Sequence, residues 1–394
     1  MKFTPLFLLQ MIILTTISCG NGSSQRVVEN ELEVQEEPEN PYIGILLGQE
    51  LIEIDIDNAE IGPRIDFKSV VKSVEVIDMS YGLELASWLT VADSRNIICV
   101  HTFEHKIFQF DIQGNFLRNI GKKGTNTSIG EFRGVKDVAI DSKRNVIYVL
   151  DHYSSVVLKY KIDGTFVGSI SVETGKFEND IFMVGSSLCD GIRTDSDGNL
   201  LVHYASWDGN RPEYNYYLYD SDGNFINGRK SFRIFSGSTG RKTGVIDELS
   251  SYYYNGILHV KDAGDTLYTV ANGNFIPKYL FKSKCSISKI VNSENFFKKT
   301  IHLGHIFEND RYLFFSYKEF PILYEPSTYW VGYFDKQNKR TYQISPKDDD
   351  PSKRLSYISN ADYIYADYFD NPINGGVVYK IDSRANTFRK YTLY

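Results

Sequence analysis

The residues of this chain that could do chemistry are scattered imidazoles, basic groups and aromatics, and their spacing limits what they can do. His101 and His105 stand four apart, but none of the seven histidines falls in an HxH or HExxH pair. A helix-borne zinc site is therefore not encoded. Asp93, Asp141 and Asp195 recur at matched places and in isolation look like cation ligands. A carboxylate repeated once per unit beside a turn is better explained as a cap for backbone amides. No GxSxG holds a serine nucleophile. "GKKGTNTSIGEF", from Gly121 to Phe132, lacks the Lys-Ser/Thr that a phosphate loop needs after its second glycine. It reads as a crossing turn between strands. What remains is a set of loop residues: His105, His152, Tyr153, Trp207, Asp208, Arg211, Lys122, Lys123, Arg133, Arg241 and Lys242. Aromatics beside hydrogen-bonding groups suit a carbohydrate or peptide ligand.

The elements that must position them come from a repeat, which is sought before anything else. One unit, Leu89 to Gly121, reads "LTVADSRNIICVHTFEHKIFQFDIQGNFLRNIG". A second runs from Val138 to Ile170 and a third from Ile192 to Arg229. Each has an apolar strand ending in Asp (Asp93, Asp141, Asp195), then a Ser-containing turn to Asn (Asn96, Asn145, Asn199) and a second apolar strand. A polar loop, an aromatic-rich strand, a Gly turn (Gly114, Gly164, Gly223) and a strand opening on Phe (Phe116, Phe166, Phe225) complete it. Asp, Asn and Gly supply side-chain caps and positive φ at the turns. Four short antiparallel strands per roughly 50 residues describe one blade of a β-propeller.

Three looser units follow, at Tyr252–Phe281, Ile306–Ile344 and Tyr357–Tyr394. The last has only three strands before the chain ends. "VVKSVEVIDMS", Val70 to Ser80, is a lone alternating strand without a blade of its own. Pairing it with the sixth blade would remove two open sheet edges. The expectation is an all-β fold, a six-bladed β-propeller with four-stranded antiparallel blades, the N-terminal strand closing the last one. A β-sandwich is the alternative, which recurrence at a fixed period disfavours.

The N-terminus carries its own information. Met1-Lys2 and the apolar run Phe3 to Ile17 make a secretory signal, too short for an ordinary membrane span. "TISCG" around Cys19 resembles a bacterial lipobox, with Thr16 where that signal usually has Leu. The resemblance implies a lipidated Cys19, durably anchored by several acyl chains. Residues 1–18 are then the signal peptide and 19–42 a polar, Gly/Ser-rich and acidic tether. Residues 43–394 are the propeller, with a lead-in over 43–64. Cys99, Cys189 and Cys285 are widely spaced and form no CxxC, which excludes a Cys-rich zinc site.

Composition supports the same picture. The 394 residues are 42% hydrophobic and 14% aromatic, mostly strand-favouring Tyr and Phe. The net charge is −7, with no extended basic run. A nucleic-acid partner, which needs a basic face, is not expected.

The stretch "FQFDIQGNFLRNIGKKGTNTSIGEFRGVKDVAIDSKRNVIYVLD" resembles the NHL repeat, with its D-x-x-G-x-F turn, G-x-x-G…G-E-F crossing and V-x-V-D strand. The whole chain is similar to the six-bladed propeller lipoproteins of Bacteroidetes. That resemblance is strongest over residues 65–170 and weakens after Arg229. It implies the fold and an envelope location but no activity, since fold alone confers none.

In such a propeller the loops between second and third strands, and those between blades, open on one face around the channel. The loop residues named above would gather there. The expected function is a lipid-anchored binding or scaffolding module for a glycan, a peptide or an envelope protein. It would sit at the outer membrane, on the periplasmic side or the cell surface. No cofactor or catalytic residue is implied. The rivals are a channel-centred, metal-dependent hydrolase or lyase of the lactonase kind, and a sensor that engages a partner protein.

Overall fold

Second strands of the repeats are apolar at nearly every position, and in the computed structural model they are buried along nearly their whole length. Asn96–His101 and Leu200–Tyr204 have no exposed residue, because a neighbouring sheet covers each of their faces. Outer strands alternate instead, as Phe116–Asn119 does, since one face meets water. The structure describes residues 50–63, 65–66, 69–82, 88–172, 189–204, 213–230, 250–261, 265–284, 299–321, 328–344, 358–359, 377–382 and 385–394. All of them belong to the unit Glu37–Tyr394.

The fold is an all-β, six-bladed propeller. Blade 1 is the meander Trp88–Ala92, Asn96–His101, Lys106–Asp111, Phe116–Asn119. Blade 2 is Val135–Asp141, Val146–Asp151, Val156–Lys161, Phe166–Ser171. Blade 3 is Cys189–Thr194, Leu200–Tyr204, Tyr214–Tyr219, Phe225–Lys230. Blade 4 is Ser250–Tyr254, Ile257–Lys261, Thr266–Ala271, Asn274–Lys282. Blade 5 is Lys299–Glu308, Tyr312–Pro321, Thr328–Asp335, Arg340–Ile344. In blade 6, Val377–Asp382 pairs with Thr387–Leu393, and Val71–Asp78 lies antiparallel outside it.

Turn chemistry sets the registers. Asp93 Oδ1 accepts the Arg95 and Asn96 amides, both at 2.7 Å. Asp141 takes those of Lys143 and Arg144, both at 3.0 Å. Asp195 takes those of Asp197 at 2.9 Å and Asn199 at 2.8 Å. The recurring aspartates are thus caps. Gly114, Gly164 and Gly223 sit at φ of 87°, 84° and 88°, a region closed to most side chains.

The core lies between blades rather than inside any one of them. Val91, Ile98, Val138 and Ile147 join blades 1 and 2. Tyr148, Ile192 and Val202 join 2 and 3, and Leu201, Tyr216 and Leu258 join 3 and 4. Tyr252, Phe281 and Phe315 join 4 and 5, while Phe307, Phe314, Val71 and Tyr391 join 5 and 6. Ile77, Phe388, Ile97 and Phe110 bring blade 6 back against blade 1.

The lead-in does more than its sequence suggested. Ile52–Asp55 adds a parallel fifth strand to blade 4, and Glu60–Gly62 does the same for blade 5. Ile65–Asp66 then pairs with Ile358–Ser359.

Candidate functional site

Antiparallel blades give the channel two unlike ends. The first and third hairpin turns of each blade, such as 141–146 and 161–166, meet at one end, the turn end. The second-hairpin loops and the blade crossings meet at the other, the loop end, where the sequence placed its ligand face.

At the loop end the structure brings together part of the expected set. His105, in the left-handed region at φ 55°, accepts the Val135 amide on Nδ1 at 3.2 Å. That bond leaves the proton of a neutral ring on Nε2. Gly134 separates this ring from Tyr153: a Cβ there would stand 2.8 Å from Tyr153 Cε2 and 3.2 Å from the His105 ring. Buried Asp151 fixes the crossing by accepting the Arg133 and Gly134 amides at 3.2 Å, the Tyr153 amide at 3.1 Å and Ser154 Oγ at 2.7 Å. His152 meets the Tyr153 ring edge-on, with centroids 4.6 Å apart. Burial, then Lys123, pulls His105 below the usual histidine range. Burial, then Lys136, does the same to His152. Both imidazoles are therefore neutral at neutral pH, and His152 Nδ1 is buried without a partner. Phe103, two residues before His105, is 74% exposed, Tyr153 is 43% exposed, and Arg133, which precedes Gly134, is exposed as well.

Lys122 is placed differently. It pairs with Glu131 at 2.9 Å within the crossing loop, and Glu131 Oε2 accepts the Thr125 and Asn126 amides at 3.1 Å. Its charge thus holds the loop together. Trp207, Asp208, Arg211 and Arg241, like Cys19, lie outside the described residues.

Inside the channel the inner strands are stitched by ion pairs. Lys136 of blade 2 meets Asp190 of blade 3 at 3.2 Å, and Arg193 meets Asp137 at 2.7 Å. Asp137 also accepts the Ile192 amide, and Arg193 Nε donates to Ser251 Oγ of blade 4 at 3.0 Å. Burial pushes the Asp190 carboxyl up, but His203, with Nδ1 at 3.6 Å, and Lys136 together hold it well below the usual range. Burial wins at Asp137, which is raised despite Arg193.

The turn end holds what sequence reasoning missed. A cavity of about 240 Å³ is walled by Val91, Val138 to Lys143, Arg193 to Ser196, Tyr253 and Gly256, from the first four blades. Two signals pointed to it: a lone arginine in the inner strand "CDGIRT", and Asp-Ser repeated at 93–94, 141–142 and 195–196. Among the described residues no group of three His, Cys, Asp or Glu is placed to hold a metal, and no helix is long and apolar enough to cross a membrane.

Comparisons with known proteins place this geometry. The family described as "Domain of unknown function (DUF4934)" matches over residues 51–385. Among solved structures, a Bacteroides fragilis protein described as exported is similar at a TM-score of 0.55 and 16% identity, over 87% of this chain and 99% of that one. A DUF4221 member from Bacteroides vulgatus has a TM-score of 0.43 and 10% identity, over 82% of this chain and 97% of its own. A Bacteroides thetaiotaomicron protein of unknown function stands at 0.42 and 10%, over 82% and 76%. Among curated proteins none matches.

Proposed function

The chain belongs to the DUF4934 family, and from that premise we propose that it is a lipid-anchored envelope propeller that binds a glycan, a peptide or a partner protein at its loop end. One observation carries the reading. Tyr153 is held open to water beside the neutral imidazoles of His105 and His152, against a crossing that Asp151 makes rigid. Phe103 is exposed in the loop of His105, and Arg133 on the crossing itself. Exposed rings on a fixed frame bind at little entropic cost. A channel-centred hydrolase gains less support, because Asp137 and Asp190 already face Arg193 and Lys136.

The test is a glycan and peptide array probed with the wild type, Tyr153→Ala and His105→Ala. The expected result is a set of ligands whose signal falls about tenfold with Tyr153→Ala, the loss of one well-packed ring. Identical profiles for all three proteins would remove the loop end as the binding face.

Anchoring rests on the Phe3 to Ile17 run and on Cys19, and the export of the Bacteroides fragilis relative is in keeping with it. Metabolic labelling with an alkyne fatty acid should mark the wild type and not Cys19→Ala. An equally labelled Cys19→Ala protein would end that part of the reading.

A further inference from the structure

The cavity at the turn end is separate from the loop-end face, and its hydrogen-bonding capacity is lopsided. Its walls are the inner strands of blades 1 to 4: Val91 and Val138 are apolar, and Tyr253 is tied to Thr194 by its hydroxyl. Its carboxylates are already engaged. Asp141 accepts two turn amides and the Arg144 guanidinium at 2.9 Å. Asp195 accepts two turn amides and Asn199 Nδ2. Thr194 Oγ1 donates to the Ile140 carbonyl. The Arg193 charge is met from below by Asp137 at 2.7 Å.

Among the described residues, three lining side-chain groups are not engaged in this way: the hydroxyls of Ser142 and Ser196 and the ammonium of Lys143. They come from the same two turns, because Ser follows the capping Asp in each. Arg144 is not available, since it bridges to the Asp197 carbonyl at 2.8 Å as well as to Asp141. Lys143 is therefore the lining cation without a carboxylate on it among the described residues. Asp195 is the opposing charge, but it is buried behind its three amide hydrogens, whereas Lys143 is exposed to whatever enters.

We infer that this cavity binds a small hydroxylated carboxylate of the sugar-acid kind, its carboxylate on Lys143 and its hydroxyls on Ser142 and Ser196. The donors call for an oxygen-rich ligand, the unmatched ammonium for a single negative charge, and the Val91–Val138 wall for a hydrocarbon face. Charge-assisted hydrogen bonds are the strong ones, so the carboxylate should dominate the discrimination.

The experiment is calorimetric titration of the full-length protein with D-glucuronate, D-glucose, acetate and inorganic phosphate at low salt. Glucuronate should bind saturably, and glucose about tenfold more weakly or worse, the loss of one charge-assisted hydrogen bond. Added salt should weaken glucuronate binding. Lys143→Ala, at an exposed turn position that leaves folding intact, should lower glucuronate affinity about tenfold and leave glucose unchanged. Tyr153→Ala should leave glucuronate binding unchanged, which separates this site from the loop end. Failure of glucuronate to saturate overturns the proposal. So does equal affinity for glucose and glucuronate, tighter binding of phosphate or acetate than of glucuronate, or indifference to Lys143→Ala.

Discussion

Blades 1 to 3 and blades 4 and 5 protect their outer edges in different ways. In blades 1 to 3 the outer strand bulges at its second residue. Phe116 pairs with Phe110 and Arg118 with Gln109, which skips Leu117. Val167 and Ile226 are skipped at the same place in the next two blades. The skipped residues are 40%, 51% and 40% exposed. A bulge spoils the ladder that a foreign strand would need, so these edges defend themselves. In blade 4 the corresponding Phe275 and Ile276 stay in register and are buried, and the skip falls instead on Lys278. Blade 5 shows no skip in its outer pairing. Both unguarded edges are covered by the lead-in strands Ile52–Asp55 and Glu60–Gly62. Regular repeats are locally self-sufficient, whereas degenerate ones borrow a segment from more than 200 residues away, as the Asp57–Ser283 bond illustrates.

The displaced skip at Lys278 has a second effect. It brings that side chain to Glu308, which accepts Lys278 Nζ at 2.9 Å, Lys336 Nζ at 3.0 Å and the hydroxyls of Tyr252 and Tyr279 at 2.8 Å. The Glu308 side chain is 1% exposed. The largest effect in the molecule should follow from its removal. Glu308→Ala leaves two lysines uncompensated and should cost about 3–5 kcal/mol in urea unfolding, as for a broken buried pair. A cost below about 1 kcal/mol would mean that the blade 4–5 seam does not depend on its polar keystone.

The next prediction compares the two kinds of edge directly. Ile54, fully buried in the blade 4–5 core, should cost about 2–5 kcal/mol on truncation to Ala. Val167→Ala, on the self-guarded edge of blade 2, should stay within about 0.5 kcal/mol. Equal costs would show that the lead-in is decoration and not part of the fold. Between these two, Asp220→Ala removes a cap that accepts the Asp222 and Asn224 amides at 2.8 and 2.9 Å. It should cost about 1 kcal/mol, one net hydrogen bond.

Legibility followed the same divide. The unit Leu89 to Gly121 was readable because its Asp and Gly turns are local, and the strands of blade 1 fall inside it but for Trp88. The alternation "IEIDID" of the lead-in is visible in the sequence, but six residues of alternation do not name a parallel partner. At the loop end, His105, His152, Tyr153 and Arg133 come together around Gly134, while Lys122 turns to Glu131. The turn-end cavity is hard to read in the sequence because capping alone accounts for its aspartates, and a serine after a capping Asp is ordinary turn chemistry.

Acid should also separate the irregular blades from the regular ones. Burial alone would raise Glu308, yet Lys278 and Lys336 bring it from 4.5 to about 2. His259, beside Lys278 at 3.5 Å, is lowered from 6.5 to about 3 by burial and then by that lysine. Both folded-state values lie below the unfolded ones, so in each case the unfolded chain binds the proton first. The stability each group contributes is present above its unfolded pKa and is lost as pH falls: from 6.5 toward 3 for His259, and from 4.5 toward 2 for Glu308. Urea midpoints measured between pH 7 and pH 3 should therefore decline, gently at first and then more steeply below 4.5. His259→Asn should flatten the upper part of that decline, and Glu308→Gln the lower part. An unchanged profile in both variants would move acid sensitivity out of blades 4 and 5 and into the Asp190–His203–Lys136 stitches of the regular blades.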